Sequence, residues 1–297
     1  MSSERVAEIL KKVQRVQLVA NRAVNEMFAG QYQSVFRGRG MEFDEVREYQ
    51  PGDDVRSIDW NVTARSGDCY IKQFCEEREL TVLFVVDVSA SGVFGSIAQA
   101  KLDLVVELTA MLMFSALKSN DKVGLLTFCN GVQEYFPPRK GKSHVLRLIR
   151  ALVSVEPIAQ PTLLTETLEF LNRVHKRRAV VFLLSDFLAD VDLKSLRMTS
   201  RRHDLTAVTV RDRREEDWTS VGFVTLRDAE TGAVLEVDTG SPAARRWFRQ
   251  RSQQRDVSLT EKLGRAGVDQ LVLDTAGDYQ TNLRRFFRER ARKAALR

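Results

Sequence analysis

The sequence predicts an α/β protein built on a doubly wound, mostly parallel sheet. Three observations carry that prediction. From residue 80 onward, short runs of strand-forming apolar residues alternate with stretches of helical period. The runs in "LTVLFVVD", "DKVGLLTFCNG" and "RRAVVFLLSD" are almost continuously apolar, as in strands covered on both faces. Two of these runs end in a carboxylate, Asp87 and Asp186. In open parallel sheets, ligands bind at such carboxyl ends, where the strand order reverses.

The elements follow in order. Residues 1–28 have the spacing of an amphipathic helix, without the long apolar run or small-residue cleavage site of a signal peptide. Residues 30–78 are rich in Gly, Asp and Arg, yet hold Tyr32, Phe36, Phe43, Tyr49, Trp60, Tyr70 and Phe74. Those aromatics need a surface to pack on, so an ordered, irregular segment with short strands is expected. Within it, Asp53, Asp54 and Asp59 are expected to pair with Arg47, Arg56 and Arg65, and Trp60 to anchor in the core. The predicted division is 1–79, packed on the core, and 80–297, the α/β domain.

In that domain a strand at 80–87 precedes a helix at 97–118. The next strand turns at Asn130-Gly131 into a hairpin partner, "VQEYF". Helices at 142–153 and 163–175 lead to the strand ending at Asp186. A helix at 192–201 and the strand "LTAVTVRD" follow. "VGFVTLRDAETGAVLEVDT" is a late β-hairpin insertion, with alternating runs around "AETGA". A helix at 241–265, the strand "VDQLVLDT" and a helix at 278–294 complete the chain.

Composition narrows the function. The chain has 297 residues, 43% hydrophobic and 29% charged, enough for a sizeable core and a well-solvated surface. The longest apolar helical stretch, "KLDLVVELTAMLMFSALK", is interrupted by Asp103 and Glu107, so no membrane span is expected. Three cysteines without CxxC spacing read as free thiols, which points to a reducing, cytoplasmic location. No G-x-x-x-x-G-K-[ST] and no G-x-S-x-G occurs, and the three histidines lack zinc spacing. The net charge of +6 requires no nucleic acid. Leu283, Phe286 and Phe287 mark the buried stripe of the last helix, with Arg284, Arg285, Arg288 and Arg292 on a solvated face.

The chemistry concentrates in "VDVSASGVFGS". A terminal Asp alone is turn chemistry. Ser89 and Ser91 change the reading, because residues two apart in an extended loop point the same way. Asp87, Ser89 and Ser91 then present a carboxylate and two hydroxyls to one point. A hard cation such as Mg²⁺, with Mn²⁺ or Ca²⁺ as substitutes, takes about six oxygen ligands, several of them waters. Thr162, in a loop before a helix, is the candidate third hydroxyl, with Thr165 as its competitor, and Asp186 lies behind the ligands.

This D-x-S-x-S loop, with a loop Thr and a strand-end Asp, resembles the metal-ion-dependent adhesion site of von Willebrand factor A domains. The resemblance implies direct ligation by Ser89, Ser91 and Thr162, with Asp87 and Asp186 acting through water. Gly92 stands where those sites commonly have Met, and Leu163 where they commonly have Asp. The block "GRGMEFDEVREYQPGDDVRSIDWNVTARSGDCYIKQFCEERELTVLFVVDVSAS" resembles the signature of bacterial domain of unknown function 58, which has a von Willebrand factor A-like core. Genes of that family commonly neighbour those of MoxR-type AAA+ ATPases. The resemblance implies a non-enzymatic, metal-dependent protein-binding adaptor, working with such an ATPase on a client protein. A Mg²⁺-dependent phosphoester hydrolase using Asp87, or a basic nucleic-acid binder using the C-terminal arginines, is the alternative.

Overall fold

The structure is a computed structural model. It describes residues 11, 13–20, 41–76, 79–96 and 99–295. These fall into two compact units, one within residues 36–80 and the other made of 81–297 with 1–35. Most of the expected N-terminal helix lies outside the described residues, as do Tyr32 and Phe36. Residues 13–20 are helical, and Val13, Val16 and Ala20 are its buried positions, three and four apart as an amphipathic helix requires.

The smaller unit is an antiparallel pair, β1 (Met41–Glu48) and β2 (Tyr70–Glu76), joined by a 3₁₀ turn and a short helix α1 (Trp60–Ser66). The Arg–Asp network is present as one bidentate pair, Arg47 to Asp53 at 2.7 and 2.9 Å. Asp54 and Asp59 have other tasks. Asp54 caps the 3₁₀ turn, and Asp59 accepts from the amides of Asn61 and Val62 at the start of α1. That cap corrects the expectation for Trp60. Asp59 fixes the helix start so that Trp60 takes its first position, where it is 65% exposed. Ile71 of β2 is buried instead.

The larger unit contains a six-stranded sheet: β3 (Thr81–Asp87), β4 (Lys122–Cys129), β5 (Gly131–Arg139), β6 (Val180–Ser185), β7 (Asp204–Arg211) and, after a separate hairpin β8 (Phe223–Arg227) and β9 (Val234–Asp238), β10 (Asp269–Asp274). The spatial order is β10-β7-β6-β3-β4-β5, parallel throughout except for β5. β5 holds Pro137 and Pro138, which an edge strand tolerates because one side of its backbone needs no ladder partner.

Helices cover both faces. Along β3, Leu83 and Val85 face a cluster with Leu168 of α4 (Leu164–Val174), Leu196 of α5 (Leu193–Arg202) and Leu263 of α7 (Pro242–Ala266). Strand alternation sends Val82, Phe84 and Val86 to the opposite face. There Phe84 stacks on Phe182 with ring centroids 5.5 Å apart. α2 (Lys101–Lys118), with thirteen buried residues, packs against α3 (Lys142–Val153). α2 begins at Lys101 rather than near residue 97, because the chain first makes a 3₁₀ turn over Ala90–Val93. A one-turn α6 (Arg213–Glu216) follows β7, and α8 (Tyr279–Ala295) packs on β10, burying Leu283 and Phe287. Among the described residues no helix is long and apolar enough to cross a membrane.

Candidate metal-binding site

The strand order reverses between β3 and β6, which are both central and parallel but separated in sequence by β4, β5 and three helices. The carboxyl ends of β3 and β6 therefore form the crevice where such sheets bind ligands. Asp87 is the last residue of β3, Ser185 is the last residue of β6, and Asp186 follows it directly.

The first loop is tightly built. Asp87 Oδ1 accepts from the Ser89 amide at 3.0 Å, and Asp87 Oδ2 accepts from the Ser185 hydroxyl at 2.7 Å. The Ser89 and Ser91 hydroxyl oxygens lie 2.8 Å apart, and both residues are buried. The hydroxyls meet as expected but not through an extended loop: Ser89, extended at φ −65°, ψ 160°, caps a 3₁₀ turn over Ala90–Val93 that carries Ser91. Loop 155–163 runs alongside. The Ala90 amide donates to the Ile158 carbonyl, and the Leu163 amide donates to the Cys129 carbonyl at the end of β4. These bonds bring Thr162 to the same rim.

The electrostatics are those of a crowded acidic rim. Burial, then the charge of Asp186, pushes Asp87 up to about 6, against hydrogen bonds from Ser185 and Ser89 that favour its ionised form. Burial, then the charges of Asp87 and Glu230, pushes the Cys129 thiol up. Phe187, just after Asp186, adopts φ 53°, a left-handed conformation that strains a bulky residue. Its amide is held by the Ser185 hydroxyl at 3.0 Å.

Four residues of the rim were not picked out from the sequence. Lys101 is 1% exposed, and its ammonium lies 2.7 Å from both Asp186 Oδ2 and Glu215 Oε1. Burial pulls its pKa down, but the two carboxylates outweigh burial and leave it raised. Burial, with the charges of Asp186 and Asp212, leaves Glu215 raised despite Lys101. One signal in the sequence was available: a lysine at the first turn of an apolar helix opposes the helix dipole. Ser185 was passed over as part of an apolar strand. Glu230 stands in the turn between β8 and β9, where its Oε1 accepts from the Thr162 hydroxyl at 2.9 Å. Nothing in the local pattern of "DAETGA" points to that contact.

The donors present can be tested against a divalent cation. Among the described residues no group of three or more His, Cys, Asp and Glu could hold a metal. The donors here are hydroxyls instead. Octahedral Mg²⁺ with ligands at 2.0–2.1 Å places adjacent oxygens about 2.9 Å apart. The 2.8 Å separation of the Ser89 and Ser91 oxygens fits one such edge. Asp87, raised by burial and a like charge, is a carboxylate that a cation would relieve. Thr165 is engaged elsewhere: its hydroxyl accepts from the Asp192 amide at 3.1 Å.

The histidines, far apart in sequence, partly converge away from this rim. His175 and His203 lie with ring centroids 5.7 Å apart. Burial, then the charges of His175 and nearby arginines, pushes His203 down to about 4.

The chain is similar to proteins already catalogued. It is 31% identical over 282 residues to the Uncharacterized protein Rv1480 of Mycobacterium tuberculosis, covering 94% of this chain and 89% of that protein. Among solved structures it is similar to the conserved hypothetical protein BatB from Bacteroides thetaiotaomicron, at 15% identity and TM-score 0.48, over 72% of this chain and 99% of that one. It is also similar to the SpRpn10 VWA domain, at 10% identity and TM-score 0.40, over 69% of this chain and 93% of that one. Residues 45–258 match the family described as "Protein of unknown function DUF58". With that match over most of its length the chain belongs to the DUF58 family, and its larger unit is the doubly wound, mostly parallel α/β sheet expected from the sequence, with one antiparallel edge strand.

Proposed function

We propose that this chain is a non-enzymatic, metal-dependent protein-binding module, acting beside a MoxR-type AAA+ ATPase in the maturation or remodelling of a client protein. The observation that carries the reading is the contact between the Ser89 and Ser91 hydroxyls beside Asp87 at the switch point of the sheet. Mg²⁺ would be held by Ser89, Ser91 and Thr162, with Asp87 and Asp186 holding its waters. Bound there, it supplies a positive charge that mostly neutral ligands leave uncompensated, and that charge attracts a carboxylate on another protein.

The chain's own residues set the stage. Ser185 fixes one oxygen of Asp87, and the Ser89 amide fixes the other. Lys101 neutralises part of the charge of Asp186 and Glu215 behind the rim. Thr165 is occupied by the Asp192 amide, which favours Thr162 as the third hydroxyl.

Capture of the neighbouring MoxR-type ATPase or its client by the full chain, with and without Mg²⁺, tests the reading. Binding that needs Mg²⁺ and is lost in Ser89→Ala/Ser91→Ala is expected. Undiminished binding by that variant would sink the metal-bridged mechanism. Turnover on a phosphoester panel by the pure chain, abolished in Asp87→Asn, would replace the reading with a hydrolase.

A further inference from the structure

We infer that Glu230 is the chain's own carboxylate ligand at this site, held where a partner's carboxylate must bind. The inference rests on the metal-binding reading above and adds the occupant of the open position. Glu230 meets Thr162 with both oxygens: Oε1 accepts from the hydroxyl at 2.9 Å and Oε2 from the backbone amide at 3.3 Å. Thr162 is itself buried at the rim, so this carboxylate reaches in from a separate element 68 residues further along.

That element is built to present it. The β8–β9 hairpin is in register from Phe223↔Asp238 to Arg227↔Val234. At its tip, Asp228 Oδ1 accepts from the amides of Glu230 and Thr231 at 2.9 and 2.7 Å. The Gly232 amide closes the turn on the Asp228 carbonyl, with Gly232 at φ 72°. The backbone on both sides of Glu230 is therefore fixed, and its carboxylate reaches Thr162.

The partners of Glu230 are the second argument. Among the described residues no lysine or arginine forms an ion pair with it. A half-buried carboxylate that meets only neutral donors is held in a place suited to a cation. The Cys129 thiol, at the end of β4, is pushed up by burial and then by the charges of both Asp87 and Glu230. The hairpin thus caps the site from within the same chain. The ligand class is a carboxylate, and an acidic segment of a partner binds only by displacing Glu230.

The test is a Mn²⁺ titration of the full chain, read by water proton relaxation, which reports the waters left on the bound ion. The wild type and Glu230→Gln are compared, each with and without added acetate. Loss of a charged ligand is expected to weaken Mn²⁺ about tenfold in Glu230→Gln. It is also expected to raise the relaxation per bound Mn²⁺, because water enters the vacated position. Acetate then lowers relaxation in Glu230→Gln at concentrations that leave the wild type unchanged. Equal affinity and equal relaxation in the two proteins would overturn the assignment of Glu230 while leaving the metal site standing. Absence of Mn²⁺ binding by the wild type overturns the metal reading itself, and this inference with it.

Discussion

Asp87 is the residue on which the site's energetics turn. Its pKa in the folded, metal-free chain is pushed up to about 6 from an ordinary value of 3.8. A raised carboxyl pKa contributes stability below pH 3.8 and loses it as pH rises through about 6. At neutral pH the metal-free fold therefore carries an ionised group in a poor place. Asp87→Asn removes that penalty, and urea unfolding at pH 7.5 without metal should show a gain of about 1–3 kcal/mol. The gain should fade as pH falls from 6 toward 4. A loss of stability at pH 7.5 would show that Asp87 is not penalised there. Lys101 acts in the opposite direction. Lys101→Met leaves Asp186 and Glu215 buried without their cation, and should lower stability by about 3–5 kcal/mol in the same assay. A change under 1 kcal/mol would mean that water replaces the ammonium. The two serines were legible in the sequence because their geometry is local: they are two residues apart, although a 3₁₀ turn over Ala90–Val93 rather than an extended loop brings their hydroxyls together. Lys101 was not, because its partners lie 85 and 114 residues away and only the sheet topology brings them together.

At the scale of elements, the join between α5 and β7 carries a pH sensor of stability. His203 caps the end of α5, is 1% exposed, and has neither ring nitrogen bonded among the described residues. With its pKa pushed from 6.5 to about 4, the unfolded chain takes up a proton that the folded chain refuses. Its stabilising effect is present above pH 6.5 and is lost as pH falls toward 4, by about 3 kcal/mol from this group. His203→Leu should flatten the stability profile between pH 6.5 and 4, and an unchanged slope would assign the acid sensitivity to other groups. The core strands and major helices follow their apolar periods closely, because burial on both faces leaves a continuous signal. Helix α1 was missed although its signs were present: Asp59 before it and Gly67, at φ 87°, after it. Seven residues hold too few apolar positions to show a period. Only the caps mark so short a helix, and reading "DDVRSID" as an ion-pair network obscured the role of Asp59.

At the scale of the whole chain, the site is a product of topology. β3 supplies Asp87 and its loop, β6 supplies Ser185 with Asp186 directly after it, the loop before α4 supplies Thr162, and the hairpin after β7 supplies Glu230. The fold class could be read from alternation and apolar strand runs, and the D-x-S-x-S loop could be placed on it. The hairpin itself was also legible. Its docking was not, since a Glu in a polar turn looks the same whether it faces solvent or a buried threonine. The central claim is that a divalent cation binds the rim of Ser89, Ser91 and Thr162. Thermal unfolding of the full chain across a Mg²⁺ series tests it most directly. At a hundredfold excess over Kd the wild type should gain about 2.7 kcal/mol, a rise in Tm of about 5–10 °C. Ser89→Ala/Ser91→Ala should show no rise over the same series. No rise in the wild type, or an equal rise in the double variant, would contradict the account.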